Sequence, residues 1–361
     1  MMKKAIKILI LAVLALIFMP IFPPAIAQAE SGFAVIEVST GRVLYQNNAN
    51  ARLPMASTTK IMTALLALEY CALDEVVTVP RQATAIEGSS IYLKPGEKRT
   101  VEELVYGLML RSGNDAATCL AMHIAGSVEE FTCLMNERAR EIGANNTNFV
   151  NPHGLHHDEH YTTAADLAMI SAVAMKNPTF RKIVGSKSAR FEDRAYYNKN
   201  KMLSTYDGAT GIKTGYTKKA GRCLVSSSMR NGMEVVCVVL NCYDMWVKSK
   251  QLMTDAYQRY ALVDLFNNVT INDVAVIGGS EESVGIKVGR NARYPLTNEE
   301  KKSLNYHVDL PQSLSAPIKS GLSIGKIDVF VDNRLIFSEN LYTINHVRKK
   351  SILDWFKEIT Q

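Results

Sequence analysis

The 361-residue sequence predicts an α/β segment with an antiparallel sheet flanked by helices, then a small all-β domain and a terminal amphipathic helix. Strand-like runs lie at 33–46 and again at 222–240, and helical patterns fill most of the sequence between them. Strands at both ends with helices between them indicate one sheet assembled from two distant parts of the chain. Beyond residue 266, short strand-like runs separated by Gly, Pro, Ser and Lys are typical of an all-β domain.

The α/β segment is predicted to span 30–266. Two β-prone runs suggest an early hairpin, and Asn231-Gly232 between two apolar runs is a strong signal for a second one. Apolar residues at helical spacing predict the intervening helices and one more after the second hairpin. The expected elements are strands Phe33–Val38, Arg42–Gln46, Arg222–Met229 and Met233–Leu240, and helical stretches at 57–70, 101–142, 163–175 and 246–266.

The β-rich accessory domain is predicted to span 267–345. Its strand-like runs are short, and no long helical pattern interrupts them. The expected strands are Val269–Ile277, Val284–Val288, Tyr306–Leu310, Ile327–Val331 and Leu335–Phe337.

The first 29 residues are typical of a secretory signal peptide. Lys3, Lys4 and Lys7 precede an apolar run from Ile8 to Phe18, and small residues at cleavage spacing follow it. The alternative is a retained membrane anchor, but the apolar run is short for a spanning helix. We therefore expect an exported protein that works outside the cytoplasm.

The terminal segment, 346–361, is predicted to be an amphipathic helix starting at about Val347. Its apolar residues share one face beside the basic residues Arg348, Lys349 and Lys350. This combination suits peripheral attachment to the outer face of an anionic cytoplasmic membrane. The alternative is a helix that docks on its own domain.

The net charge of +6 does not indicate a nucleic-acid-binding protein. Three of the 41 basic residues and none of the 35 acidic ones lie in the predicted signal peptide, which leaves +3 for the remainder. That charge is small and dispersed, so we expect no nucleic-acid partner.

The six cysteines show no C-x-x-C pair and no tight spacing. We expect buried free thiols that act as small hydrophobic side chains, with a disulfide scaffold as the alternative. The cysteines are Cys71, Cys119, Cys133, Cys223, Cys237 and Cys242.

A hydroxyl and an amine lie three residues apart at Ser57 and Lys60, where a helix is predicted to start. Residues at this spacing share one helix face, so Lys60 can reach Ser57. A serine hydroxyl becomes a good nucleophile when a neighbouring base takes its proton, and a lysine with a lowered pKa can serve.

This short motif is weak alone, since Ser323 and Lys326 match it as well. The motif becomes specific because two further motifs follow it in a characteristic order and in the expected secondary structure. Ser57 and Lys60 are followed by Ser112-Gly113-Asn114 between two predicted helices and by Lys213-Thr214-Gly215 at a predicted strand. This ordered set is typical of β-lactamases and penicillin-binding proteins.

The segments around these motifs resemble the low-molecular-weight D-alanyl-D-alanine carboxypeptidases, serine peptidases of family S11 that bind penicillin. The similar stretches are 55–64, 112–116 and 207–217, within a resemblance over about 31–262. The later β segment and tail resemble the accessory domain and anchor of the same family. The resemblance implies a β-lactamase-like fold and removal of the terminal D-alanine from peptidoglycan stem peptides, without a cofactor.

The resemblance also implies residue roles. Ser57 would attack the peptide carbonyl, Lys60 would take its proton, and Ser112 with Lys213 would pass a proton to the departing D-alanine. Asn114 would hold the stem-peptide amide, and Thr214, in the strand segment with Gly215, would help bind the terminal carboxylate. The backbone N–H groups of Ser57 and Tyr216 would form an oxyanion hole, and penicillin would stall the enzyme as an acyl adduct.

Two departures concern substrate binding. Some relatives have His after K-T-G, where this chain has Tyr216. Some also bind the substrate carboxylate with an arginine after the following strand. The corresponding stretch, 241–248, contains no arginine, and Lys248 is a weak substitute.

Three other functions are compatible with parts of the sequence. A β-lactamase would need a deacylating glutamate, and Glu159 lies in the plausible region without the usual surroundings. A wall-binding protein without turnover would retain the same fold. A zinc peptidase is suggested by a histidine-rich loop, although a clean zinc spacing is missing. Its potential ligands are His153, His156, His157, His160, Asp158 and Glu159.

Overall fold

The computed structural model describes residues 31–267, 269–352 and 354. The predicted signal peptide and residues 355–361 of the predicted tail helix lie outside these ranges. Within them, no helix combines the length and apolar character needed to cross a membrane.

Helices and strands alternate in the first part of the described chain, and strands dominate the second. The helices are α1 Lys60–Tyr70, α2 Val101–Tyr106, α3 Asn114–Ala125, α4 Val128–Ile142, α5 Ala164–Lys176, α6 Pro178–Gly185, α7 Met202–Thr205, α8 Met245–Arg259 and α9 Asn298–Lys302. The strands up to the end of α8 are β1 Gly32–Glu37, β2 Val43–Asn47, β3 Val76–Thr78, β4 Lys98–Thr100, β5 Ser188–Arg190, β6 Ala195–Tyr197, β7 Ala209–Thr217, β8 Gly221–Arg230 and β9 Met233–Leu240. The later strands are β10 Ala261–Asp264, β11 Val274–Ile277, β12 Ser283–Val284, β13 Ile286–Val288, β14 Arg293–Leu296, β15 Leu304–Asp309, β16 Ser313–Ser315, β17 Ser323–Val331 and β18 Arg334–Thr343.

The central sheet has five antiparallel strands in the order β2-β1-β9-β8-β7. The first hairpin thus pairs with the last, which confirms the predicted sheet built from two distant parts of the chain. The turn between β8 and β9 contains Asn231 and Gly232, both with positive φ, as the Asn-Gly signal predicts. Strand β7 lies at the edge of the sheet.

Both faces of the sheet are covered by helices. Helix α5 packs against β1 and β9 on one face, and α8 packs against β8 and β9 on the other. Alternate residues of β1 therefore enter different cores, with Ala34 and Ile36 on the α5 side and Val35 on the α8 side. Strand β9 is buried along its whole length, and apart from Glu234, which forms an ion pair with Arg181, all its residues are apolar.

The helix predicted over 246–266 is too long. Helix α8 ends at Arg259, and Ala261–Asp264 forms β10, which pairs with β14, Arg293–Leu296. Apolar residues at 261–266 continue the helical spacing, so the sequence pattern does not separate the two states. The distant partner strand β14 supplies the backbone hydrogen bonds that make this segment a strand instead of a helix.

The accessory domain is all β, as predicted, apart from the short helix α9. Its main sheets have the orders β13-β18-β17-β15 and β12-β11-β16. The first predicted strand is shorter than expected, because only Val274–Ile277 of the 269–277 run is a strand. The predicted run at 284–288 divides into parts of two strands, Ser283–Val284 and Ile286–Val288.

The tail helix does not begin at Val347. Val347 pairs with Ile318 and Lys349 pairs with Gly279 as isolated β-bridges. The Val347 side chain is 1% exposed and belongs to the core of the β domain, so backbone pairing and burial outweigh the local helical pattern. The basic residues 348–350 therefore adjoin the β domain, and the rest of the predicted amphipathic helix lies mostly outside the described residues.

All six cysteines are free thiols. Cys119, Cys223 and Cys237 are buried, as expected for small hydrophobic side chains. Cys133 is exposed, which differs from the expectation. It lies on α4, whose buried face is formed instead by Phe131, Met135 and Ala139.

Candidate active site

Ser57 lies in a short 3-10 turn, Ala56–Thr59, immediately before α1. The hydroxyls of Thr58 and Thr59 donate to the carbonyls of Met55 and Ala56 at 2.6 and 2.8 Å, which fixes the turn. Ala56, Thr58 and Thr59 are buried, whereas Ser57 is only partly buried. Within this turn, Ser57 is therefore the residue that keeps some exposure to solvent.

Lys60 is completely buried beside Ser57. Its Nζ lies 3.1 Å from Ser57 Oγ, 2.7 Å from Asn114 Oδ1 and 2.5 Å from the His153 carbonyl oxygen. Burial lowers the pKa of Lys60 well below its usual value, and the nearby cations Lys213 and Lys199 lower it further. A neutral amine can donate its two N–H groups to Asn114 and His153 and offer its lone pair to the Ser57 hydroxyl.

Ser112 and Asn114 lie at the break between α2 and α3, where the helix geometry changes. A π-helical turn, Gly107–Arg111, follows α2 and ends at Ser112, which has a left-handed conformation with φ of 66°. Asn114 then starts α3 and is 3% exposed. Its Nδ2 donates to the Glu87 carbonyl at 2.6 Å while its Oδ1 accepts from Lys60, so the side chain positions the lysine amine.

The K-T-G segment lies within edge strand β7, against the Ser57 turn. A Cβ on Gly215 would lie 3.1 Å from both the Met55 carbonyl oxygen and the Ser57 nitrogen, so glycine permits this close approach. Thr214 is half-buried, and Tyr216 is exposed to 65%. The strand edge beside Ser57 can therefore receive an extended peptide.

Lys213 is buried, and its Nζ donates to the Thr214 carbonyl at 3.0 Å. Burial, followed by the positive charge of Lys199, lowers the pKa of Lys213 to about 7. The positive charge of Lys199 thus lowers the pKa of both Lys60 and Lys213. Positive charge at Lys199 and Lys213 favours an anionic substrate group, and Lys213 can exchange a proton near neutral pH.

We expect Lys213→Met to change the pH dependence of stability. The unfolded chain keeps this lysine protonated up to about pH 10, whereas the folded chain releases the proton near pH 7. Between these values the unfolded state binds more protons, so the contribution of Lys213 to the free energy of unfolding rises with pH. Relative to wild type, the variant should be most stable below pH 7 and lose about 2–4 kcal/mol of that advantage by pH 10.

Urea unfolding of both proteins across this pH range measures the difference. Lys219→Met is the matched control, because Lys219 is exposed in the turn after β7. A constant difference between Lys213→Met and wild type across the range would contradict the prediction.

The histidine-rich loop is part of the support for the Ser57 turn. His160 Nε2 lies 2.8 Å from Thr59 Oγ1, and its Nδ1 accepts from the Val150 N–H at 3.1 Å. Burial lowers the pKa of both His153 and His160 to about 3, so both rings are neutral. A Cβ on Gly154 would lie 1.9 Å from the Ala56 carbonyl oxygen, which shows how closely the loop approaches the turn.

The loop residues do not converge as a metal site. Across the described ranges, the single group of three or more His, Cys, Asp and Glu ligand atoms at metal-binding spacing is elsewhere. Both ring nitrogens of His160 are used by Thr59 and Val150. The arrangement therefore favours the polar-loop interpretation over the zinc-peptidase hypothesis.

Sequence reasoning missed several supporting residues. Asp115 accepts hydrogen bonds from the Ser90 hydroxyl and from the backbone N–H groups of Ile91 and Leu93, and so fixes the loop before β4. Lys199 influences both site lysines from a segment with no motif. Asp115 adjoins the Ser112-Gly113-Asn114 motif, but no local sequence pattern predicts its hydrogen bonds to the 90–93 loop. No local pattern predicts the effect of Lys199 either.

Arg222, an exposed cation near the start of β8, belongs to none of the three sequence motifs. It lies opposite Tyr216 in the β7–β8 pairing, and its guanidinium stacks 4.9 Å above the Tyr243 ring. Lys248, the weak candidate from the sequence, stacks instead on Phe33 in β1, two strands away from β8. Arg222 is therefore the better placed of the two near the K-T-G strand.

Family models match two successive parts of the chain. Residues 22–244 match the D-alanyl-D-alanine carboxypeptidase family, peptidase S11, and residues 265–349 match the C-terminal domain of penicillin-binding protein 5. The order of these matches agrees with an α/β segment followed by an all-β segment.

Individual relatives cover nearly the whole chain. The D-alanyl-D-alanine carboxypeptidase DacF of Bacillus subtilis is 31% identical over 99% of this chain and 97% of its own length. The D-alanyl-D-alanine carboxypeptidase DacC of Escherichia coli is 30% identical over 92% of this chain and 90% of its own length. The crystal structure of penicillin-binding protein 5 from Haemophilus influenzae has a TM-score of 0.74 at 28% identity, covering 88% of this chain and 97% of that one. The chain therefore belongs to the D-alanyl-D-alanine carboxypeptidase family of serine peptidases, S11.

Proposed function

We propose that this protein is a D-alanyl-D-alanine carboxypeptidase that removes the terminal D-alanine from peptidoglycan stem pentapeptides. The observation that carries the proposal is the buried Lys60 amine, 3.1 Å from Ser57 Oγ and with a strongly lowered pKa. This geometry activates a serine nucleophile without a metal or cofactor. Family membership supplies the substrate class.

Acylation begins when Ser57 Oγ attacks the carbonyl between the two D-alanines and Lys60 accepts the hydroxyl proton. The resulting oxyanion is stabilised by the backbone N–H groups of Ser57 and Tyr216, and the close approach of Gly215 to the Ser57 nitrogen supports this assignment. The C–N bond then breaks as Ser112 and Lys213 deliver a proton to the departing D-alanine nitrogen. Water attacks the ester to release the shortened peptide and restore the Ser57 hydroxyl.

Substrate binding would use the free edge of β7. The extended peptide adds beside the strand, and Thr214 with the Lys213 charge receives the terminal carboxylate. Asn114 already holds Lys60 and the Glu87 carbonyl, so a contact with the stem-peptide amide would use its second Nδ2 hydrogen. β-Lactams would occupy the same groups and inhibit the enzyme by acylating Ser57.

The enzyme would act outside the cytoplasm, at the outer face of the cytoplasmic membrane. The basic and apolar composition of 1–29 supports export through a cleaved signal peptide. The apolar residues at 352–359 support peripheral attachment by the tail. The β domain, which includes Val347 in its core, would hold the catalytic domain away from the lipid surface.

The test is D-alanine release from an acyl-Lys-D-Ala-D-Ala peptide by the purified mature protein, with nitrocefin hydrolysis measured in parallel. The proposal predicts steady release of D-alanine together with slow, nearly stoichiometric reaction with nitrocefin. Rapid nitrocefin turnover without D-alanine release would indicate a β-lactamase. Penicillin adduct formation without release from any D-Ala-D-Ala peptide would indicate a wall protein that lacks turnover.

A further inference from the structure

Two helices that carry the active site also meet at their opposite ends. Helices α1 and α3 begin at Lys60 and Asn114, which are in contact, and the two helices pack side by side. Cys71 directly follows α1, and His123 lies in the last turn of α3. At 1.5 Å per residue, these far ends lie roughly 15 Å from the helix starts at Lys60 and Asn114.

Three different metal-binding groups converge there. The Sγ of Cys71, a carboxylate oxygen of Glu75 and a ring nitrogen of His123 lie within 4.8 Å of one another. His123 Nε2 is already 2.8 Å from Glu75 Oε1. Ligand atoms of a tetrahedral zinc ion are roughly 3–4 Å apart, so small side-chain adjustments bring these atoms to zinc-binding spacing.

The backbone holds the Cys71–Glu75 turn in place. The Cys71 N–H donates to the Ala67 carbonyl at 3.1 Å, and the Glu75 carbonyl accepts from the Val101 N–H at 2.9 Å. The side chains of His123 and Glu75 are 25% and 42% exposed, so an ion and a water molecule can reach them from solvent. The ligand set is thus anchored by its backbone and open on one side.

We propose that Cys71, Glu75 and His123 bind a zinc ion, with water as the fourth ligand, and that the ion ties the far ends of α1 and α3 together. Thiolate, imidazole and carboxylate are the three protein ligand types that zinc prefers. On binding, Cys71 releases its proton to solvent and no electrons are transferred. The ion has no part in the chemistry at Ser57; it limits the relative movement of the helices that position Lys60 and Asn114.

Cobalt substitution tests the proposal directly. Full-length protein treated with EDTA and titrated with Co²⁺ should develop a near-ultraviolet thiolate-to-cobalt band and the intense visible bands of tetrahedral cobalt, saturating at one equivalent. Cys71→Ser should lose the thiolate band, and His123→Gln should lose the tetrahedral bands. Cys133→Ser is the matched control, because Cys133 is exposed on α4 outside the cluster, and it should behave as wild type.

Thermal unfolding supplies a second measurement. Zinc should raise the Tm of wild type and of Cys133→Ser but not that of Cys71→Ser, because only the first two retain the complete ligand set. Circular dichroism of each variant establishes that it is folded. A wild-type protein without the cobalt bands, or a Cys71→Ser variant with the same bands and the same Tm increase as wild type, would overturn the proposal.

Discussion

Replacement of Ser57 by alanine is expected to abolish covalent labelling by penicillin and to reduce D-alanine release by on the order of 10³-fold or more. The variant lacks the only atom that can form the proposed ester with the substrate. It should still fold, because the Lys60 amine keeps its hydrogen bonds to Asn114 and His153 and the turn keeps those of Thr58 and Thr59.

Intact-protein mass spectrometry after incubation with penicillin measures the adduct, and the peptide assay measures turnover. The chain provides a matched control in Ser323, which belongs to a second serine–lysine pair with the same spacing. Ser323 is exposed in β17, so Ser323→Ala should label and turn over as wild type does. An adduct of unchanged yield in Ser57→Ala would remove Ser57 from the mechanism.

The second large effect is expected for Lys60→Met, which should slow acylation by about 10²–10⁴-fold while leaving Ser57 in place. Methionine fills most of the buried volume but cannot accept a proton. It leaves Asn114 Oδ1 and the His153 carbonyl without their shared donor, at a cost of about 1–3 kcal/mol for each unsatisfied group. Removing a buried amine offsets part of that cost, so the variant should remain folded.

The pH profile separates a base from a structural support. In wild type, acylation should rise with pH as Lys60 loses its proton and then level off, and the lowered pKa moves this rise well below the usual range for lysine. Lys60→Met should lack that rise. The control is Lys326→Met, since Lys326 is exposed and pairs with Asp328. A Lys60→Met variant with the wild-type rate and pH profile would show that another group takes the proton.

The local parts of this structure were predictable from short stretches of sequence. The Asn231-Gly232 turn has the backbone conformation that this dipeptide favours, and the β1–β2 and β8–β9 hairpins follow from alternating and apolar runs. The ordered motifs at Ser57, Ser112 and Lys213 indicated the family because three short patterns in one order rarely arise together.

The predictions that were wrong concern segments whose backbone conformation depends on pairing with a distant part of the chain. The segment 261–264 has an apolar pattern compatible with a helix, yet it pairs with β14 about thirty residues later. Val347 has helix-like neighbours, yet it is buried in the β domain and pairs with Ile318. In both cases tertiary hydrogen bonds and burial outweigh a local preference of a few tenths of a kcal/mol per residue.

The sequence by itself determined the family, the order of the domains and the identity of the proposed nucleophile, because these depend on residue types at fixed local spacing. Only the tertiary structure decided the electrostatic state of the site. Lys60 and Lys213 have lowered pKa values because both are buried and because Lys199, distant in sequence from Lys60, lies near them. Desolvation and charge proximity depend on three-dimensional packing, and no local motif encodes them.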